Sequence, residues 1–205
     1  MKTKIILLDI DGTLFNPLSF IEDFYQTVSQ VFNLSDQDID EIKKIYEQTK
    51  EEYDYFYPPY FESEITKKIP KIQGDKLHGI LWDVDLFEKN VYKDASVVND
   101  LSKTAIIGIF SKGDSKFQKQ KIKFIKKLAD ENIHIFKDKT KNLKPVSENY
   151  KEFEVYLIDN EIEVLKVAKN IRSNLFAILI DRAGLEEVEK SIIKIKGLEE
   201  LKGII

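Results

Sequence analysis

The sequence predicts an α/β fold: a doubly wound parallel sheet with a helical domain inserted after its first strand. Three observations carry this. Short apolar runs rich in β-branched or aromatic residues recur along the chain, and the later ones alternate with helical periodicity. That is the pattern of βαβ units whose strands are buried on both faces. Residues 16–90 lack strand-like runs of the same quality and carry apolar residues at helical spacing instead. Finally, the first apolar run ends in two aspartates, Asp9 and Asp11, and doubly wound sheets bind ligands at the carboxyl ends of their strands.

The elements follow in order. Lys4 to Leu8 is the first strand, running into Asp9-Ile10-Asp11-Gly12-Thr13-Leu14. A buried strand has no packing reason to finish in a pair of like charges, which repel and raise each other's pKa unless a cation intervenes. Ile21, Phe24, Tyr25, Val28, Val31 and Phe32 then mark a helix, and Ser35 or Asp36 caps a second one bearing Ile39, Ile42, Ile45 and Tyr46. Pro58-Pro59 and Gly74 break the pattern. Tyr53, Tyr55, Phe56, Tyr57, Tyr60 and Phe61 cluster around those prolines, as internal packing or as a substrate-facing wall.

Strands are expected at Thr104 to Phe110, Ile133 to Phe136, Glu154 to Ile158 and Leu175 to Ile180. Helices are expected around Ile122, Ile125, Leu128 and Ala129, and around Ile162, Leu165, Val167, Ala168 and Ile171. A short run, Ile192 to Ile195, and a last helix from Leu198 complete the domain. Residues 1–15 and 91–205 thus form a Rossmann-like core, and 16–90 the helical insertion.

Composition narrows the function. The 205 residues carry 33% charged side chains and a net charge of −4, so no basic footprint for nucleic acid is present. Cysteine is absent, which removes thiolate chemistry and disulfides. His78 and His134 have no neighbour at ligand spacing. The apolar run after Met1-Lys2-Thr3-Lys4 stops at Asp9, too short for a signal peptide, and no run has the length of a membrane span. A soluble cytoplasmic protein is the expectation. The oligomeric state is left open, with a monomer slightly favoured.

The strand ends assemble a constellation. The second strand ends in Ser111-Lys112-Gly113-Asp114 and the fourth in Asp159-Asn160-Glu161-Ile162-Glu163. Before the fourth comes Leu143-Lys144-Pro145, a lysine at a helix start if Pro145 takes the first helical position. Carboxylates, a hydroxyl and an ammonium on one edge match phosphoryl transfer, which needs a nucleophile, a proton shuttle, a cation and oxyanion donors.

With these residues the chain resembles the haloacid dehalogenase (HAD) superfamily, in its phosphatase-like branch with a C1-type helical cap. Asp9-Ile10-Asp11-Gly12-Thr13-Leu14 matches the first motif, Ser111 the second, Lys144 the third, and Asp159 with Glu163 the fourth. Ile178 to Gly184, with Arg182, resembles the closing strand and the turn after it. The resemblance implies that Asp9 is the nucleophile forming an aspartyl-phosphate, and that Asp11 protonates the leaving alcohol and then deprotonates water. Gly12 turns the backbone so that the Asp11 carbonyl can bind Mg²⁺, and Thr13 supports the loop. Ser111, with the Lys112 and Gly113 amides, binds phosphoryl oxygens. Lys144 neutralises charge, Asp159 ligates Mg²⁺, and Glu163 acts through water or steadies Lys144.

Departures leave choices open. Lys137, Lys139 and Lys141 compete with Lys144 for the third motif, and Lys144 is preferred because Pro145 follows it. The fourth motif has Glu163 where Asp is usual and no glycine before Asp159. Asp114 is read mainly as a helix cap. Resemblance implies that dehalogenases lack an acid at the Asp11 position, so Asp9-Ile10-Asp11 argues for phosphate chemistry. The expected activity is Mg²⁺-dependent hydrolysis of small phosphate monoesters, a phosphorylated metabolite being the partner. The alternatives are a phosphomutase on the same scaffold or a non-catalytic phosphate-binding regulator. Asn16, Pro17 and the tyrosine-rich segment are the expected specificity contacts.

Overall fold

A computed structural model describes residues 3–205. Their six strands form one parallel sheet in the order β3-β2-β1-β4-β5-β6: β1 Lys4–Leu8, β2 Ile106–Lys112, β3 Ile133–Phe136, β4 Glu154–Asp159, β5 Leu175–Ile180 and β6 Ile193–Ile195. The expected doubly wound α/β architecture is therefore present. Strand β1 is central because it is apolar on both faces: Ile5, Ile6, Leu7 and Leu8 are all buried.

The chain divides into two compact units. One contains the chain up to Phe15, Tyr92–Lys112 and Ile122–Ile205; the other contains Asn16–Val91 and Gly113–Lys121.

In the first unit, side chains alternate across the sheet. One face holds Ile5, Leu7, Phe110, Val155, Leu157, Ala177 and Leu179 in a single core with Leu143, Val146, Val164 and Leu165. The last four lie on α8 (Lys139–Asn149) and α9 (Ile162–Ala168). On the opposite face, Tyr156 stacks on Phe176 at 5.0 Å. The short α6 (Val97–Leu101) contacts the closing 3-10 segment, Leu198–Gly203.

The second unit is helical: α1 Pro17–Phe32, α2 Asp36–Tyr53, α3 Pro58–Lys68, α4 Gly74–Leu81, α5 Val84–Lys89 and α7 Ser115–Lys121. Asn16 is the N-cap of α1, accepting from the Ser19 amide, and Pro17 follows at the first position. Ser35 opens α2 with a reciprocal capping box: its hydroxyl faces the Asp38 amide while the Asp38 carboxylate accepts from the Ser35 amide at 2.8 Å. The aromatic residues form a packed cluster. Phe61 touches Phe24, Tyr46 and Phe56, and Tyr53 packs on Tyr57 at 4.8 Å and Tyr60 at 5.2 Å. Phe117 on α7 meets Phe20, Phe56, Trp82 and Phe87.

One expected helix is displaced. The helix is Ser115–Lys121, capped by Asp114, whose carboxylate accepts from the Phe117 amide at 2.9 Å. Ile122 and Ile125 lie beyond it, joined by a bond from the Ile125 amide to the Ile122 carbonyl. A three-residue turn aligns side chains at i and i+3 much as a helix does, so the apolar spacing did not distinguish them.

Leu157→Ala removes a fully buried side chain and is expected to cost about 2–5 kcal/mol. Val167→Ala, at an exposed position, stays within about 0.5 kcal/mol. Urea denaturation of both variants checks the contrast.

Candidate active site

The carboxyl ends of β1, β2 and β4 place three side chains together in the first unit. Register sets Leu8 beside both Ile109 and Ile158, and the Asp9 amide donates to the Ile158 carbonyl at 2.9 Å. Asp9 therefore emerges next to Asp159, with Ser111 two residues past Ile109 on its other side. Asp9, Ser111 and Asp159 are all buried.

The cation among them is Lys139. Its Nζ lies 3.0 Å from Asp9 Oδ1, 2.9 Å from Asp159 Oδ2 and 3.1 Å from Asp159 Oδ1, with Glu161 Oε2 at 3.7 Å. Lys139 is 2% exposed. Asp138 places it there: its side chain accepts from the Lys141 amide at 3.2 Å, so α8 starts at Lys139.

This corrects the assignment of Lys144. Pro145 is the seventh residue of α8 rather than its first, and it leaves Lys144 exposed on the helix surface. Glu163 is corrected likewise. It lies just inside α9, exposed, and pairs with Lys166 at 2.6 Å; Glu161 is the glutamate that approaches Lys139. The signal for Lys139 was in the sequence, an Asp138 cap with the lysine directly after it, but Pro145 outweighed it.

The loop after Asp9 is a tight closed turn. The Ile10 carbonyl accepts from the amides of Thr13, Leu14 and Phe15, and the Gly12 amide donates to the Phe15 carbonyl at 2.8 Å. Gly12 has φ +81°, and a Cβ there would lie 2.5 Å from Asn160 Nδ2. The positive φ is what glycine meets without strain, while the close approach is to a side-chain tip. Asp11, partly exposed, is the residue this turn presents. Thr13 is buried and its hydroxyl lacks a hydrogen-bond partner. Lys112 ends β2; Lys141 chiefly, with a small contribution from Lys112, holds the Asp138 carboxyl below its ordinary range. Gly113, φ +139°, begins the second unit's short segment, where a Cβ would meet Gln118.

Electrostatics define what the site can do. Burial pushes Asp9 upward and the Asp11 charge adds to that, while Lys139 and the Ser111 hydroxyl pull it down; the net shift is upward. Asp159 is pushed up to about 8 by burial and then by the Asp9 charge, against the pull of Lys139. Burial alone would lower Lys139, but Asp9, Asp159 and Glu161 outweigh it and hold the ammonium above the ordinary lysine range. One ammonium thus balances two buried carboxylates incompletely. The Ser111 hydroxyl is close enough to Asp9 to influence it, yet its geometry completes no hydrogen bond.

A cation bound there takes the place of the Asp159 proton and suits the paired carboxylates. Among the described residues no three His, Cys, Asp or Glu side chains converge as a metal cluster. A pair of adjacent carboxylates, Asp9 and Asp159, sharing Lys139 suits Mg²⁺, which keeps several waters and takes one or two carboxylates. It does not suit zinc.

Between the ordinary carboxylate value and about 8, the folded metal-free chain keeps a proton on Asp159 that the unfolded chain releases. Its stability therefore falls as pH rises through that window. Asp159→Asn is expected to flatten this dependence and to raise the metal-free Tm at pH 8 by at least about 2–4 °C, the response to about 1 kcal/mol in a chain of this size. Melting curves in EDTA from pH 5 to about pH 9 check it.

No protein-family model and no curated protein matches the sequence. Solved structures do. A haloacid dehalogenase-like hydrolase from Burkholderia xenovorans LB400 superposes with a TM-score of 0.76 at 17% identity, over 100% of this chain and 97% of that one. The HAD-hydrolase YfnB from Bacillus subtilis, bound to magnesium, gives 0.63 at 16% identity over 100% and 99%. A HAD phosphatase from Thermococcus onnurineus gives 0.61 at 19% identity over 98% and 97%. L-2-haloacid dehalogenases are also among the similar structures. At these identities the likeness is one of fold: the chain has the haloacid dehalogenase-like hydrolase fold, as its motifs led us to expect.

Proposed function

We propose that the protein is a Mg²⁺-dependent phosphohydrolase of small phosphate monoesters. The observation that carries this reading is Asp9: a buried carboxylate at the end of the central strand, bonded to Lys139, beside an unsatisfied serine hydroxyl and two residues before a second acid. A structural ion pair needs neither the free hydroxyl nor Asp11.

In this reading an Asp9 oxygen attacks phosphorus while the ester P–O bond breaks. Asp11 gives its proton to the departing alkoxide, releasing an alcohol and leaving an aspartyl-phosphate. Water then attacks phosphorus, Asp11 takes its proton, and the P–O bond to Asp9 breaks to give phosphate and free carboxylate. Lys139 holds Asp9 charged and, with Ser111 and the Lys112 amide, stabilises the phosphoryl oxygens. Mg²⁺, when bound by Asp9, Asp159 and the Asp11 carbonyl, supplies positive charge for the transferring group.

Two features favour phosphate over halide chemistry. Asp11 provides the proton that an alcohol leaving group needs and a halide does not. The magnesium in the B. subtilis relative accords with the two-carboxylate set here.

Wild-type protein with Mg²⁺ is expected to release phosphate from p-nitrophenyl phosphate or from members of a phosphometabolite panel, without isomerised sugar phosphate. Asp9→Asn abolishes turnover, and Asp11→Asn lowers kcat by about 10²–10⁴-fold. Lys139→Met abolishes turnover, while Lys144→Met leaves it unchanged. Isomerised product would indicate a mutase, and inactivity on the whole panel would indicate a phosphate-binding regulator.

A further inference from the structure

Arg182 follows β5 and the buried Asp181. Its guanidinium donates four hydrogen bonds. Nη2 donates to the Thr13 carbonyl at 2.7 Å and Nε to the Gly12 carbonyl at 3.3 Å. Nη1 and Nη2 each lie 3.0 Å from one oxygen of Asp94, a bidentate pair. The plane sits over the Tyr92 ring at 3.8 Å. Asp94 is fixed in turn by the Leu198 amide at 2.9 Å, and the Tyr92 amide donates to the Leu14 carbonyl at 2.9 Å.

These contacts converge on the turn that presents Asp11. The inner side of the turn is closed by the Ile10 carbonyl, and its outward carbonyls, Gly12 and Thr13, are both taken by Arg182. Asp11 is close enough to affect the Tyr92 hydroxyl, which burial chiefly, with Asp94 and Asp11, holds above the ordinary tyrosine range despite Arg182. A chain end elsewhere in the fold could be tied down by any hydrogen bond. Here one planar group reads two adjacent carbonyls and a carboxylate at once, which a lysine ammonium cannot do.

We propose that Arg182, oriented by Asp94 and Tyr92, is a positioning residue that holds the Asp11-Gly12-Thr13 turn in its reactive geometry. The proposal rests on the phosphohydrolase reading for its kinetic consequence but not for its structural one. Turn residues displaced by an ångström lose rate without losing substrate affinity, on the order of 10²-fold.

The test takes Arg182→Ala, Arg182→Lys and Asp94→Asn beside wild type, with two readouts. In steady-state hydrolysis, kcat falls about 10- to 100-fold in Arg182→Ala with KM nearly unchanged. Added guanidinium restores part of kcat in that variant and none in wild type. In hydrogen exchange, the amides of residues 12–15 exchange faster in each variant, while those of β4 do not. An unchanged kcat in an active background, or unchanged exchange at residues 12–15 in a folded variant, overturns the proposal. If Arg182→Ala does not fold, Arg182→Lys and Asp94→Asn carry the same two readouts. A wild type that hydrolyses no phosphate ester overturns the phosphohydrolase reading alone, and exchange then decides the role of Arg182.

Discussion

The site depends on one buried ammonium. Lys139 is the only cation bonded to Asp9 and Asp159 among the described residues, and neither carboxylate can be buried charged without it. Breaking a buried pair of this kind leaves an uncompensated charge, which costs far more than the pair contributes when intact. The constraint reaches backwards through the structure. Lys139 arrives only because α8 begins directly after the Asp138 cap. Asp9 and Asp159 arrive only because β1 and β4 lie side by side in register. Helix start, strand order and charge balance are therefore one requirement seen from three positions.

The arrangement also shows how function and stability oppose each other in one place. Two carboxylates share one ammonium, the Ser111 and Thr13 hydroxyls are buried unsatisfied, and Gly12 occupies a backbone region that other residues avoid. Each feature would be removed by selection for stability alone. These features meet around Asp9, at the carboxyl ends of β1, β2 and β4.

Much of this was legible in the sequence, for identifiable reasons. Parallel strands buried on both faces are continuous apolar runs, so β1, β3 and β5 appeared with their observed bounds. Strand ends carry the chemistry in such sheets, so Asp9, Asp11, Ser111 and Asp159 could be listed before any coordinate. What failed were readings that hung on local punctuation. Pro145 fits a first helical position, but a helix already capped by Asp138 also carries it inside. Glu163 and Glu161 differ by two residues at the start of α9, and which one turns toward Lys139 is decided by the onset of that helix. Arg182 was visible only as part of a resembling turn, because its partners, Asp94 and the carbonyls of Gly12 and Thr13, lie far from it in sequence.

The strand order has a consequence for how the chain acquires this structure. Leu8 pairs with Ile109 and with Ile158, so the central strand finds its neighbours only across very long sequence separations. The helices of Asn16–Val91 lie in the interval, and some of their contacts, α2 with α3 and α3 with α4, join elements adjacent in the chain. Such local contacts form readily, whereas distant parallel pairings are slow because loop-closure entropy is spent before they return anything. During synthesis this central strand is therefore left with both edges open until about half of the chain has followed it. That interval, rather than any exposed surface of the finished fold, is when self-association threatens it most.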